Sequence, residues 1–431
     1  MSEVGTGHEA IAAIGQRFDE HLSAVPVLRQ RAAAENVSAI RCLEDLVPLL
    51  FPHTVYKSYP ASLVDNGRWA QMNRWLDSVS ARRVDVDVTG VENVDDWLAR
   101  LATAGHYVSQ SSGTTGKSSF LNKSQADLEA TAANHIALLT EKGIVPDNSW
   151  HTLGFGAAPA NILARHMQGV LQRNFSRPDN LPAYPAPPPT ESHHAYMSRL
   201  SRVQRALADG TASPDEVAAV KAEQASRQAE AEKVLSYYVD QVMARRSEKM
   251  LFGTMMSLAW RFVEELRARG VKPGDITGEN AVYMAGGTKG VVLPPDHEAQ
   301  ICAMLNVPRE RFVQLYSMQE INIAMPKCSA GRYHTRPDLV LLVLDEPGEK
   351  LAEVSDGHAE GRAAFFDLTV DARWGGTMSG DFIRAQLDGC PCGAAGPSIS
   401  PEITRFANKV DGDKITCAGT MDAYVRGFIE E

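Results

Sequence analysis

The run Ser111-Ser112-Gly113-Thr114-Thr115-Gly116-Lys117 gathers the groups that a polyphosphate needs. Two glycines let backbone amides approach an anion, the hydroxyls add donors, and Lys117 adds positive charge. Gly116-Lys117-Ser118 satisfies the end of the G-x-x-x-x-G-K-[ST] phosphate pattern, but Ser111 stands where that pattern opens on glycine. That pattern also requires a helix to start at once, whereas SSFLNKS reads as extended chain. A loop of this composition is equally compatible with an exposed turn. The second constellation is Cys328-x₅-His334 with Cys390-x-Cys392. Three thiolates and an imidazole are a donor set suited to tetrahedral zinc, with no position left open for a substrate. The alternative is a group of unrelated buried cysteines.

These residues have to be positioned by the elements around them. Val25 to Leu50 carries apolar residues at helical spacing, and Phe51-Pro52-His53 stops it. RWAQMNRWL (68–76) reads as an amphipathic helix whose Trp69 and Trp75 belong to a core. From His106 the texture changes to strand, Gly/Ser/Thr loop and second strand. The stretch ADLEATAANHIALLTEKG is then helical, with Lys142 and Gly143 as its C-terminal signals. SWHTLGFGAAPANI reads as a strand entering a glycine turn, and Pro178 to Pro189 as a connector. Ser198 to Met250 is rich in Ala, Glu, Arg and Gln and is broken at Gly210–Pro214. It reads as a charged helical hairpin, either solvated or used for docking a partner. Beyond it strands and helices alternate in the manner of an α/β domain with a largely parallel sheet. The last eighty or so residues are Gly-rich, with FFDLT, DFIRAQL and DKITC as short strands. The expected division is a helical region (1–105), an α/β core (106–345) and a small β-rich subdomain (346–431).

Composition bounds the function. The 431 residues are 44% hydrophobic and 22% charged, ordinary for globular chains of roughly two or three domains. The formal charge of −10 argues against a nucleic-acid partner recognised by bulk charge. No apolar run reaches the roughly 18 residues of a membrane helix. The N-terminus lacks the pattern of a signal peptide, and six cysteines are too few for a disulfide scaffold. The expectation is a soluble cytoplasmic protein.

Four landmarks in order resemble the adenylate-forming enzymes, the acyl- and aryl-CoA ligases, and most of all the phenylacetate–CoA ligase group. The first is SSGTTGK, similar to the phosphate loop. Ala285-Gly286-Gly287-Thr288-Lys289-Gly290 after AVYM resembles the glycine turn that lies against adenine. Tyr316-Ser317-Met318-Gln319-Glu320 resembles Y-G-x-T-E, in which the tyrosine stacks on adenine and the glutamate helps hold Mg²⁺. Here Ser317 replaces the usual Gly and Gln319 the usual Thr. Gly380-Asp381 resembles the aspartate that grips both ribose hydroxyls. RFANKVDGDK (405–414) resembles the hinge, its arginine represented by Lys409 or by a displaced Arg405. A branch of the same group carries C-x₄₋₅-G-x-H and C-x-C-G, which Cys328, Gly331, His334, Cys390, Cys392 and Gly393 match; the resemblance makes that site a structural zinc staple.

The resemblance implies a layered αβαβα adenylate-forming domain with a small β-rich subdomain at its C-terminal end, and no mobile C-terminal domain in this chain. It implies binding of ATP by Ser111, Ser112, Gly113, Thr114, Thr115, Gly116, Gly286, Gly287, Tyr316, Asp381 and Arg405 or Lys409. Glu320, Lys117 and Thr114 would serve catalysis, with Mg²⁺ on Glu320. Lys123 and Lys289 are further charges for the phosphates. The reaction implied is activation of a fatty or aromatic acid as an acyl-adenylate, then transfer to a thiol on CoA, a carrier protein or a partner enzyme. VPLLFPHTVYKSYP (47–60) and the early end of the chain also resemble the bioluminescence acyl-protein synthetases, which by position makes Cys417 an acyl acceptor or simply a small strand residue. The acid is expected between Gly154-Phe155-Gly156 and the Gly286-Gly287 turn, near Ala157 and Met284, with His151 either close by or a hydrogen-bonded structural residue. The competing expectation is a nucleotide-binding regulator or scaffold that keeps the fold without turnover.

Overall fold

The computed structural model describes residues 7–110, 117–154, 161–185, 192–285, 292–408, 413, 415 and 427–429. Within them the strands, in chain order, are β1 (Phe51–Pro52), β2 (Ser109–Gln110), β3 (Phe120–Leu121), β4 (His151–Leu153), β5 (Met250–Thr254), β6 (Ala281–Ala285) and β7 (Phe312–Tyr316). They continue with β8 (Met325–Pro326), β9 (Tyr333–His334), β10 (Leu339–Leu344), β11 (His358–Asp367), β12 (Gly376–Gln386), β13 (Ser398–Ile399) and β14 (Thr404–Arg405). The chain divides into two compact units. The first comprises residues 1–131, 194–202 and 318–431, the second residues 132–193 and 203–317.

The first unit is organised on a sheet in the order β10-β11-β12-β13-β9, with β1 and β14 also paired to β12. The long strands are antiparallel, and β1 joins β12 in parallel, Phe51 opposite Thr377 and Pro52 opposite Met378. LVLLVL of β10 is buried at every position, as expected of an apolar run covered on both faces. One apolar core joins the N-terminal helices to this sheet: Phe18, Leu46, Trp75, Trp97 and Phe120 share it with Leu342, Phe366 and Trp374. Trp69 and Trp75 take the core role expected of them, Trp69 stacking on Trp97 at 5.7 Å between ring centroids. The strand–loop–strand expectation also holds, since β2 and β3 pair antiparallel, Ser109 opposite Leu121 and Gln110 opposite Phe120. The next helix is Gln125–Glu141, so no helix starts at Lys117 and the G-x-x-x-x-G-K-[ST] reading is excluded.

The second unit carries four parallel strands in the order β4-β5-β6-β7. Helix Met256–Ala268 puts Met256, Ala259, Phe262, Val263 and Leu266 into its core at the three- and four-residue steps of an amphipathic helix. The stretch expected to be a solvated hairpin is solvated only in part. Helix Pro214–Ala244 is mostly exposed in its first half, but Val234, Leu235, Tyr238, Val239 and Val242 are buried in the core of this unit. Its C-terminal half is therefore a core helix, marked by an i, i+4, i+5, i+8 apolar pattern that the charged composition of the whole stretch hides.

Candidate functional site

The three thiols and the imidazole of the second constellation meet in the first unit. The ligand atoms of Cys328, His334, Cys390 and Cys392 all lie within 4.8 Å of one another. Cys328 Sγ is 3.9 Å from Cys390 Sγ, and Cys392 Sγ is 3.4 Å from His334 Nε2. A tetrahedral zinc with ordinary bond lengths requires edges of about 3.8 Å between sulfurs and about 3.5 Å between sulfur and nitrogen. The fit is close. Two glycines in the left-handed region, Gly331 at φ +78° and Gly393 at φ +87°, turn the chain tightly beside the ligands. Pairing of β9 with β13 sets His334 opposite Ser398, and Arg332 fixes that pairing by donating to Ser398 Oγ at 2.8 Å and Ser398 O at 3.1 Å.

The phosphate-type loop, Ser111 to Gly116, lies outside the described residues, but its base is visible. Ser109 Oγ donates to Gln319 Oε1 at 2.5 Å, and Gln110 is hydrogen-bonded to His194. The departure at Gln319 thus supplies a long side chain that ties the loop's first strand to the residue preceding Glu320. Lys117 begins the described chain again, its ammonium 4.4 Å from the centre of the Tyr59 ring, while Tyr59 OH donates to Ser118 O at 2.9 Å.

Glu320 sits at the edge of a buried ionic cluster. Lys123, Asp127 and Arg373 are fully buried, and Asp367 nearly so. Lys123 Nζ donates to Asn322 Oδ1 at 3.0 Å, and Asn322 Nδ2 donates to Asp127 Oδ1 at 2.8 Å. Asp127 also accepts the backbone N–H groups of Ser124, Asp371 and Ala372, and Asp367 those of Asn322 and Ile323. Arg373 Nη2 donates weakly to Glu320 O at 3.4 Å, while Nε and Nη1 are buried and have no hydrogen-bond partner among the described residues. Burial pushes the Glu320 carboxyl above its ordinary range, opposed by the positive charges of Arg373, Lys123 and Lys57. Burial, aided by Arg373, pulls the Lys123 ammonium down to about 8. A carboxylate ringed by cations, with spare guanidinium N–H groups behind it, is a surrounding that accepts further negative charge.

Asp381 and Arg405 come together as a cross-strand pair of β12 and β14, with Arg405 Nε 3.4 Å from Asp381 Oδ1. A Cβ added to Gly380 would meet His53 Cε1 at 3.0 Å and Asp413 Oδ2 at 3.1 Å, so only glycine fits there without displacing a neighbour. Arg362, fully buried, holds Asp413 Oδ1 at 2.8 Å and the carbonyls of Glu346 and Ser379. The hinge candidate Lys409 is outside the described residues, as are Cys417, Lys289, Gly286, Gly287, Phe155, Gly156 and Ala157.

In the second unit Tyr316 closes β7. Gly154 follows directly on the C-terminal end of β4, the edge at which open parallel sheets bind ligands. Met284 is buried in the apolar core, on the same face of β6 as Val282. His151 takes the structural alternative, fully buried with Nε2 2.9 Å from Glu248 Oε2. In the same unit His135 and Tyr283 share a hydrogen bond, and burial holds His135 down to about 4.

Sequence reasoning missed Lys57, Tyr56, Arg373, Asp127 and Asn322. The available signals were polar residues set within apolar stretches, such as Asn322 in EINIAMP and Lys57 in VPLLFPHTVYKSYP.

No protein-family model matches the chain, and no curated protein sequence does. Solved structures do. An open conformation of 2-hydroxyisobutyryl-CoA ligase in complex with 2-HIB-AMP and CoA aligns with a TM-score of 0.54 at 14% identity, over 93% of this chain and 69% of that one. The same ligase in its thioesterification state aligns with a TM-score of 0.55 at 15% identity, over 92% and 67%. At this identity the likeness is one of fold: the chain shares the mixed α/β architecture of that ligase, with a parallel sheet and antiparallel sheets.

Proposed function

We propose that the protein activates a carboxylic acid, fatty or aromatic, as an acyl-adenylate and passes it to a thiol of CoA, a carrier protein or a partner enzyme. The acid's carboxylate oxygen attacks the α-phosphorus of ATP, and the bond to the departing pyrophosphate breaks. The reading is carried by one observation: on this fold, the hairpin bearing the loop Ser111 to Gly116 is tied by Ser109 to Gln319, the neighbour of Glu320. Asp381 offers two acceptor oxygens suited to a vicinal diol, with Arg405 beside it. Lys117, Thr114 and the loop amides would bind the phosphates, and Glu320 would hold Mg²⁺, which when bound neutralises phosphate charge. Tyr316 and the Gly286-Gly287 turn are assigned to adenine on the resemblance alone. Cys328, His334, Cys390 and Cys392 would hold a zinc ion that staples the sheet and takes no part in the reaction; the interligand distances support this.

The test is acid-dependent exchange of labelled pyrophosphate into ATP over a panel of fatty and aromatic acids. Exchange with one acid class supports the proposal and names the substrate. A second reading, a nucleotide-binding scaffold, is favoured by the three cations around Glu320, which oppose a bound metal cation. It predicts nucleotide binding with no exchange across the panel.

A further inference from the structure

Parallel pairing of β1 with β12 carries the chain directly into a five-residue 3-10 helix, His53–Lys57, that lies against β12. At its first residue His53 approaches Gly380, the neighbour of Asp381. One step before its last, the Tyr56 ring lies 5.4 Å from the guanidinium of Arg373, which in turn touches the Glu320 carbonyl. Four residues of 3-10 helix advance about 8 Å, the scale of a nucleoside monophosphate. The helix therefore runs from the carboxylate suited to a ribose diol to the ionic cluster at Glu320. In a nucleotide the α-phosphorus is one sugar ring from the diol, so it must fall along this path if Asp381 holds the sugar.

Lys57 ends the helix, one residue beyond Tyr56, and its charge acts on Glu320 together with those of Lys123 and Arg373. Lys123 and Arg373 are fully buried, while Lys57 keeps partial exposure and so can meet a ligand from solvent.

We propose that Lys57 is a contact to the nucleotide's α-phosphate, set by the 3-10 helix between the sugar carboxylate Asp381 and Glu320. This rests on the adenylation reading and adds to it a cation supplied from the N-terminal segment of the chain. During adenylyl transfer the same ammonium would face the charge that builds on the oxygens of the α-phosphorus.

The experiment compares binding of AMP and of adenosine by calorimetry in the full chain, wild type against Lys57→Ala and Lys57→Arg. A charge-assisted hydrogen bond predicts that Lys57→Ala weakens AMP roughly 10- to 100-fold while adenosine is unchanged. Lys57→Arg should recover most of the loss. Unchanged AMP affinity in Lys57→Ala, or an equal loss for AMP and adenosine, overturns the assignment and leaves Lys57 as a structural partner of Glu320. If wild type binds neither probe, the adenylation reading itself fails and the inference falls with it. Should Lys57→Ala not fold, as judged by circular dichroism, Lys57→Gln, which keeps a polar side chain of similar reach, carries the same test.

Discussion

The Cys/His cluster and the ionic cluster at Glu320 belong to one unit of the molecule and are built on opposite plans. In the first, four donors from two short motifs stand at the spacing of a tetrahedral ion and leave no vacancy. In the second, Lys57, Lys123, Asp127, Glu320, Asn322, Asp367 and Arg373 come from widely separated segments, and two guanidinium nitrogens have no hydrogen-bond partner among the described residues. A closed set of donors stabilises a fold. A set of buried charges with donors left over is one that can accept a ligand. The contrast teaches that completeness of the donor inventory is the physical difference between the two clusters of this unit.

The largest effect tests the closed cluster. Cys390→Ser should reduce tightly bound zinc from one per chain to nearly none and lower the thermal midpoint, as read by metal analysis and calorimetry. If the metal content is unchanged, Cys390 is not a ligand and the contrast is lost. Next in size, Glu320→Gln should slow pyrophosphate release roughly 100- to 1000-fold. The same change should leave AMP binding equal or tighter, because it removes a negative charge that competes for the three cations. Weaker AMP binding would make Glu320 part of a closed structural set after all.

A smaller effect concerns Lys123. Its ammonium titrates near 8 in the fold, below the ordinary lysine value of 10.5, so between those limits the unfolded chain binds more protons. Stability should therefore rise with pH across that window, by at most about 3 kcal/mol. Lys123→Met should flatten the difference in denaturant midpoint between pH 8 and 10.5; an unaltered slope would show that Lys123 is not held under strain. The smallest effect is expected at Arg405, which is largely exposed. Arg405→Ala should cost less than about 1 kcal/mol of stability by denaturant titration, as for other solvent-screened pairs.

Legibility in the sequence followed the same contrast. The Cys₃His set could be read because its ligands sit in two local motifs with fixed spacing, and the β2–β3 hairpin could be read because extended residues flank a Gly/Ser/Thr loop. Glu320 and Asp381 emerged through their neighbours in local motifs. Lys57 and Arg373 did not, since each is a lone charge whose meaning depends on a partner hundreds of residues away. The C-terminal half of helix Pro214–Ala244 was taken as solvated for a different reason: average charge over a long segment conceals a local apolar stripe.

The alignment of Phe51 and Pro52 with Thr377 and Met378 has a consequence for biosynthesis. A ribosome adding roughly 5–20 residues per second would take about 15–65 s to deliver β12 after β1 has been made. Through that interval Leu49, Leu50 and Phe51 have the N-terminal helices to pack against but lack the β12 face of their final core, so the first strand is exposed to misassembly until β12 arrives.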